Sequence, residues 1–358
     1  MDHSIRNRDR KSDSREPPSI KDVARIAGVS IATVSRCIND PERVRAPTRK
    51  RVQDAIRQTG YSPNTLAQSF RRGKTKVIMV VLPSVGDPFF TEVMSGIREV
   101  AAEKGYSLLI NETQFNTMTA DEIGAMVVSR QADGIVLLAS VSPFGTEVLS
   151  SKSNRRLPVV VGCEIVSLES TGYPSVHIDN QAAAREMTDY LIDQGHKRIA
   201  FIHGQDASLL TKDREDGYRA SMSAAGLNIE EGLITGGNLT IGDTIEATRR
   251  LLGHPKRPTA IFCANDEMAM GCLHAIKSAG LSVPGDVSVV GFDDIRYAEI
   301  LDPPLTTVYQ PAHQIGERVM YRLFREIEEG RSVNTEPEIV PHKLVIRDSV
   351  APPPRTVG

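Results

Sequence analysis

The chain has 358 residues, too many for one ordinary core, which predicts two or three domains. With 40% hydrophobic and 25% charged residues it reads as globular; no apolar run reaches the roughly 20 residues of a membrane helix, and the first 18 residues lack the apolar stretch of a secretion signal, so a cytoplasmic location without membrane contact is expected. The net charge of -2 hides an asymmetry, because residues 1–74 hold 17 of the 43 basic but only 8 of the 45 acidic side chains: a basic head, suited to a polyanion, precedes an acidic body.

Residues 1–17 read as a disordered, solvated tail. From Ser19 the pattern changes. Ser19 with Asp22 makes a capping-box start, and Ile20, Val23, Ala24 and Ala27 recur at the spacing of one helix face. Gly28 gives the backbone freedom for a tight turn, Val29 can pack between helices, and Ser30 caps a second helix to about Ile38, with Val34 and Ile38 turned toward the first. The product is a helix-turn-helix. Ile31, Ala32, Thr33, Ser35 and Arg36 project elsewhere; small and hydroxyl side chains let a helix enter the DNA major groove, and Arg36 has the reach to bond guanine acceptors. A third helix is expected from Thr48, serving as its cap, to Thr59, with Val52, Ala55 and Ile56 inward, Gly60 closing it, and Arg49, Lys50, Arg51 and Arg57 offered to phosphates.

The stretch IKDVARIAGVSIATVSRCINDPERVRAPTRKRVQDAIRQTGYSPNTLAQSF, with its VSxATVSR core and G-Y-x-P-N junction, resembles the DNA-binding head of the LacI/GalR family of bacterial regulators. That resemblance implies that Ile31, Ala32 and Arg36 read bases and that Thr33 and Ser35 hold phosphates. It also implies a hinge helix, beginning at Asn64, that enters the minor groove, with Phe70 where many relatives place a wedging leucine.

In the body, short apolar runs recur between helical stretches: VIMVVLP (77–83), YSLLI (106–110), GIVLLA (134–139), PVVVG (158–162), IAFIH (199–203), AIFCA (260–264) and VSVVGF (287–292). Such runs read as buried parallel strands. Helices end in Lys104-Gly105, Gln194-Gly195, Ala225-Gly226 and Ala279-Gly280 before the next strand, so the body is a repeated αβ chain long enough for two doubly wound lobes. Ligands of such sheets sit beyond the strand carboxyl ends. The residues there are Asp87, Phe89, Phe90, Glu112, Ser140, Cys163, Glu164, His203, Asn265, Asp266, Asp293 and Asp294, a polar set with two aromatics suited to a hydroxylated ring. Each also has an ordinary reading: the aspartates as helix caps, the phenylalanines as core.

The segments DPFFTEVMSGIREVAAEKGY, SVHIDNQAAA, QGHKRIAFI, DREDGYRA, CANDEMAMG, VPGDVSVVGFDD and DPPLTTVYQP resemble the periplasmic-binding-protein-like sensor core of the same family. By position in these motifs, Arg214 and Asp293 are the implied ligand-gripping pair, with Asn265 beside them and Phe89 and Cys163 across the cleft. Cys163 stands where relatives often carry Asp or Asn, so Glu164 is a substitute acceptor. The whole implies an all-α helix-turn-helix head on a two-lobed periplasmic-binding-protein-like α/β core: a tail over 1–17, the head over 18–62, a hinge over 63–75, the effector-binding and dimerisation core over 76–348 and a tail over 349–358.

A dehydrogenase-type enzyme is a rival for an α/β body, yet there is no GxGxxG after a strand, no GxxxxGK[ST] and no GxSxG. The cysteines Cys37, Cys163, Cys263 and Cys272 are spaced for neither disulfides nor zinc, and the eight histidines are scattered, so no metal and no cofactor is expected. An exported solute-binding component fits the body but not the basic head, and a purely architectural DNA protein has no use for the body. The expectation is therefore a transcription regulator, a repressor by type, binding a palindromic double-stranded DNA operator as a homodimer and answering to a small effector. The resemblance also implies dimerisation mainly through helices of the amino-terminal lobe, including Phe90 to Lys104, whose Val93, Ile97, Val100 and Ala101 exceed what one sheet-facing stripe requires, and the region after Thr117. For the effector, Arg214 and Asp293 suit a ribose diol and Phe89 the face of a base, and VLPSVGDPFFTEVMSGI and DPPLTTVYQP are in the style of the family's nucleoside-responsive members; a pentose or hexose is the alternative.

Overall fold

The computed structural model describes residues 18–62, 74–113, 131–138, 158–163, 173–205, 208–329 and 335–354. Asn64 and Phe70 of the expected hinge, Ser140, Glu164 and the region after Thr117 lie outside the described residues. The chain divides into two compact units, Met1–Lys74 and Thr75–Gly358.

The first unit holds α1 (Ile20–Ala27), α2 (Ile31–Asn39) and α3 (Ala46–Thr59). The capping box at α1 forms: Asp22 accepts from the Ser19 backbone N–H at 3.1 Å and from its hydroxyl at 2.7 Å. Gly28 and Gly60 end α1 and α3 with φ of 62° and 66°, the left-handed region where only glycine is unstrained. The third helix starts earlier than the sequence suggested. Arg45, not Thr48, is its N-cap, because Pro47 in the first turn brings a fixed φ and lacks an N–H that would otherwise go unbonded there. Val23, Ala24, Ala27, Val34, Cys37, Val52 and Ala55 make one small core with Ile38 at its edge.

In the second unit β1 (Val77–Leu82), β2 (Ser107–Glu112), β3 (Gly134–Leu137), β4 (Val159–Gly162), β5 (Ser175–His177) and β11 (Glu338–Ile339) form a parallel sheet in the order β11-β5-β4-β3-β1-β2. Helices α4 (Pro88–Glu103) and α9 (Ala312–Glu329) pack on it. The second lobe is a parallel sheet β7-β6-β8-β9, from Ile234–Gly236, Ile199–His203, Ala260–Cys263 and Ser288–Val290. It carries α5 (Asn180–Asp193), α6 (Leu209–Ala224), α7 (Ile241–Leu252) and α8 (Asp266–Ser278). Strands β10 (Thr307–Tyr309) and β12 (Lys343–Val345) pair antiparallel. The chain passes between the lobes three times among the described residues: after β5, between β10 and α9, and after β11.

Each helix pair is drawn together by a glycine. A Cβ on Gly96 of α4 would collide with the carbonyl of His313 in α9, and one on Gly316 of α9 with the carbonyl of Val93. Gly217 of α6 stands likewise against Gln181 of α5, and Gly271 of α8 against Ile241 of α7. Gly105, Gly195, Gly226 and Gly280 have φ between 67° and 98° and end α4, α5, α6 and α8, as their placement before strands implied.

Two expectations are corrected here. Val93, Ile97, Val100 and Ala101 are all buried inside the chain, because α4 is covered by α9 as well as by the sheet, so the apolar surplus is no free dimer face. The core also continues past residue 348. Ser349 is 0% exposed, its hydroxyl donating to the Val289 carbonyl at 2.6 Å and accepting from the Thr306 N–H at 2.8 Å, and the Ala351 carbonyl bonds His196 Nε2 at 3.0 Å.

Candidate functional site

Helix α2 is held from below by Val34 and Cys37, which leaves its other face outward. Ser30 caps it, its Oγ accepting from the Thr33 N–H at 3.1 Å and sharing a hydrogen bond with the Thr33 hydroxyl at 2.9 Å. Ile31, 45% exposed, and Ala32 and Arg36 are exposed, with Thr33 and Ser35 half-buried beside them. An isoleucine exposed on a small domain is the kind of apolar group that thymine methyls accept, and Arg36 is paired with no described residue. Of the four cations offered to phosphates, Arg49 is ion-paired with Glu42 at 3.1 Å and Arg57 with Asp54. Lys50 and Arg51 are exposed.

The second site is a cavity of about 320 Å³ between the two lobes. It gathers Phe89, Cys163, Arg214, Asn265 and Asp293, five of the six residues singled out in the body, with Asp87, Phe90, Gln205, Thr240 and Glu267 among the others. Arg214, on α6 and 2% exposed, is the anchor. Its Nε donates to Asn180 Oδ1 at 3.0 Å, Nη1 donates to the Ala264 carbonyl, Nη2 stands 3.7 Å from Asp293 Oδ1, and the guanidinium lies 3.6 Å from the centre of the Phe292 ring. These contacts fix the plane of the fork before any ligand arrives.

Asp293 has φ 111° and Cys163 φ 70°, conformations costing on the order of 1–3 kcal/mol each for a side chain with a Cβ, and both line the cavity. Asp293 also accepts from Gln310 Nε2 at 2.6 Å; burial pushes its carboxyl well above the usual range, against the pull of Arg214. Asn265, rather than either aspartate, is the N-cap of α8. Its Oδ1 accepts from the Met268 N–H at 2.8 Å, which turns the amide Nδ2 into its remaining donor. Asp87 is the N-cap of α4, accepting from the Phe89 N–H at 2.8 Å, so the cavity takes a cap from each lobe. Phe89 and Phe90 meet edge to face, their centroids 5.4 Å apart.

Other strand-end residues serve the scaffold. Asp266 is fully buried behind the cavity, accepting from the Thr307 hydroxyl at 2.6 Å and the Ile295 N–H at 2.9 Å; Asp294 pairs with Arg347 at 2.8 Å; Glu112 accepts from the Val85 N–H at 2.6 Å. Asn180, Glu267 and Gln310 were not anticipated. Asn180 and Glu267 open helices, where their residue types are commonplace, and Gln310 follows a three-residue strand.

Residues 19–64 match the family described as bacterial regulatory proteins, lacI family, and residues 188–350 match the periplasmic binding protein-like domain. The HTH-type transcriptional repressor CytR of Escherichia coli (strain K12) is 37% identical over 331 residues, covering 92% of this chain and 96% of that protein. The ribose operon repressor of the same strain is 36% identical over 310 residues, covering 86% and 93%. Among solved structures, the Lac repressor dimer bound to operator and the anti-inducer ONPF superposes with a TM-score of 0.82 at 26% identity, covering 94% of this chain and 100% of that one.

Proposed function

The chain belongs to the lacI family of bacterial regulatory proteins, a DNA-binding transcription regulator and not an enzyme, and from that premise we propose that it is a cytoplasmic homodimeric repressor whose effector is a nucleoside. In this reading Ile31, Ala32 and Arg36 meet base edges, Thr33 and Ser35 meet phosphates, and Asn64 and Phe70 belong to a hinge that enters the minor groove. Two copies on one palindrome supply the contacts a single three-helix head lacks. The solved Lac repressor, a dimer on its operator, supports that arrangement. No helix among the described residues is long and apolar enough to cross a membrane.

The observation that carries the effector reading is the cavity itself. A fixed guanidinium and a carboxylate 3.7 Å apart offer donor and acceptor to a ribose diol, and Phe89 lines the same space for a flat base. Phe89, Cys163, Arg214, Asn265 and Asp293 are the proposed contacts, with Glu164 next to Cys163 in sequence. The likeness to CytR supports a nucleoside. The likeness to the ribose operon repressor supports a pentose as the second reading.

Calorimetric titration against nucleosides, free bases, pentoses and hexoses separates the two. A nucleoside is expected to bind in the micromolar range, about 7–9 kcal/mol, and to release a palindromic footprint. Binding by a sugar alone overturns the nucleoside assignment.

A further inference from the structure

Among the described residues, the charges around the cavity do not balance. Among its described lining residues are Asp87, Glu267 and Asp293 but a single cation, Arg214. That guanidinium is already engaged by Asn180, the Ala264 carbonyl and Asp293 and lies on the Phe292 ring. Asp87, from the first lobe, spends its hydrogen bonds on capping α4, and Glu267, from the first turn of α8 in the second lobe, has no hydrogen bond or ion pair to a described residue. Two carboxylates from opposite walls thus border the cavity without a counter-ion among the described residues.

We infer that Asp87 and Glu267 act as a charge filter that admits neutral effectors and rejects their phosphorylated counterparts. The inference rests on the reading of this cavity as the effector site and adds a rule of selection to it. An entering phosphate meets two like charges and finds no uncommitted cation among the described lining residues, and the half-enclosed setting weakens solvent screening. Burial, and then the charge of Asp87, already push the Glu267 carboxyl up to about 7, and Asp87 also works against the ionisation of Asp293. A site that strains to hold its own negative charge has little room for more.

The test uses the full-length protein at about pH 8, above the value of about 7 to which the Glu267 carboxyl is pushed, so that this group is mostly ionised. Calorimetry compares cytidine, uridine and adenosine with their 5′-monophosphates, and ribose with ribose 5-phosphate. The neutral member of each binding pair is expected to bind at least about tenfold more tightly. In the double variant Asp87→Asn, Glu267→Gln that ratio should fall roughly tenfold. The changes are isosteric and Asn remains a good cap, so a phosphate excluded by bulk alone keeps its full penalty in the variant, which overturns the proposal. Equal affinity for neutral and phosphorylated partners in the wild-type protein also overturns it. Binding of ribose but not of nucleosides removes the nucleoside reading while the filter is still read from ribose and ribose 5-phosphate.

Discussion

Asn180 Oδ1 accepts from Arg214 Nε at 3.0 Å, tying the first turn of α5 to the middle of α6 across 34 residues of sequence. The bond aims the rest of the guanidinium at Asp293 and the cavity. Arg214→Ala should therefore cost about 2–5 kcal/mol of stability, since it leaves the buried Asn180 amide oxygen and the Ala264 carbonyl without that donor, and should abolish the effector response. Asn180→Ala should cost less, about 1–2 kcal/mol, while weakening effector binding about tenfold through misalignment of the fork. Thermal unfolding combined with calorimetry distinguishes the two effects; full effector affinity in Asn180→Ala would deny it a positioning role.

On the head, Arg36→Ala should reduce operator affinity by about 1–3 kcal/mol and relax base preference at one position in each half-site. Lys50→Ala should instead weaken all sequences alike and flatten the salt dependence. Gel shifts against a library of half-site variants read both. Wild-type selectivity in Arg36→Ala would remove α2 from base recognition.

The glycine crossings give a paired expectation. Gly96→Ala pushes a methyl into the His313 carbonyl and should destabilise the second unit by about 3 kcal/mol or more, because backbone cannot rotate out of the way. Gly242→Ala, within α7 with nothing inside 4 Å of the added carbon, should be neutral or stabilise by up to about 1 kcal/mol. Urea melts of the two variants should move in opposite directions.

Asp266 supplies a dependence on pH. Burial pushes its carboxyl up from the ordinary 3.8 to about 7, against the bonds from Thr307 and Ile295. The folded state therefore keeps a proton that the unfolded chain has released, so this contribution to stability is full below about pH 4 and lost as pH rises through about 7. In Asp266→Asn the amide can accept from Ile295 and donate to the Thr307 hydroxyl, and that slope disappears. Melting temperatures of both proteins from about pH 5 to about pH 8 should show the wild-type advantage shrinking; a constant gap would mean that Asp266 is ionised throughout.

Strands β1 and β6 were legible almost to the residue because both faces are covered and the apolar run is unbroken, as in VIMVVL and IAFIH. Strands β5, β7, β10, β11 and β12 are two or three residues long, and Ile234–Gly236 or Glu338–Ile339 is partly exposed, so they leave no periodic trace. Phe89, Asn265 and Asp293 could be placed because ligands gather at strand ends, and Arg214 only through the DREDGYRA resemblance, since it sits within a helix. Glu267 was invisible for a physical reason: a glutamate in a helix's first turn is ordinary for the dipole, and only the cavity gives it another neighbour.

The three passages of chain between the lobes carry a mechanical consequence. Two stiff blocks joined by one tether can tumble and slide freely, whereas three ties at separate points oppose both and leave rotation about a shared axis as the soft direction. Helix pairs locked backbone to backbone cannot take up displacement by rotamer changes, so work done by a ligand drawing its two walls together is delivered to the few torsions at 178–179, 310–311 and 340–342. Those peptide units set how much of the binding energy becomes angle.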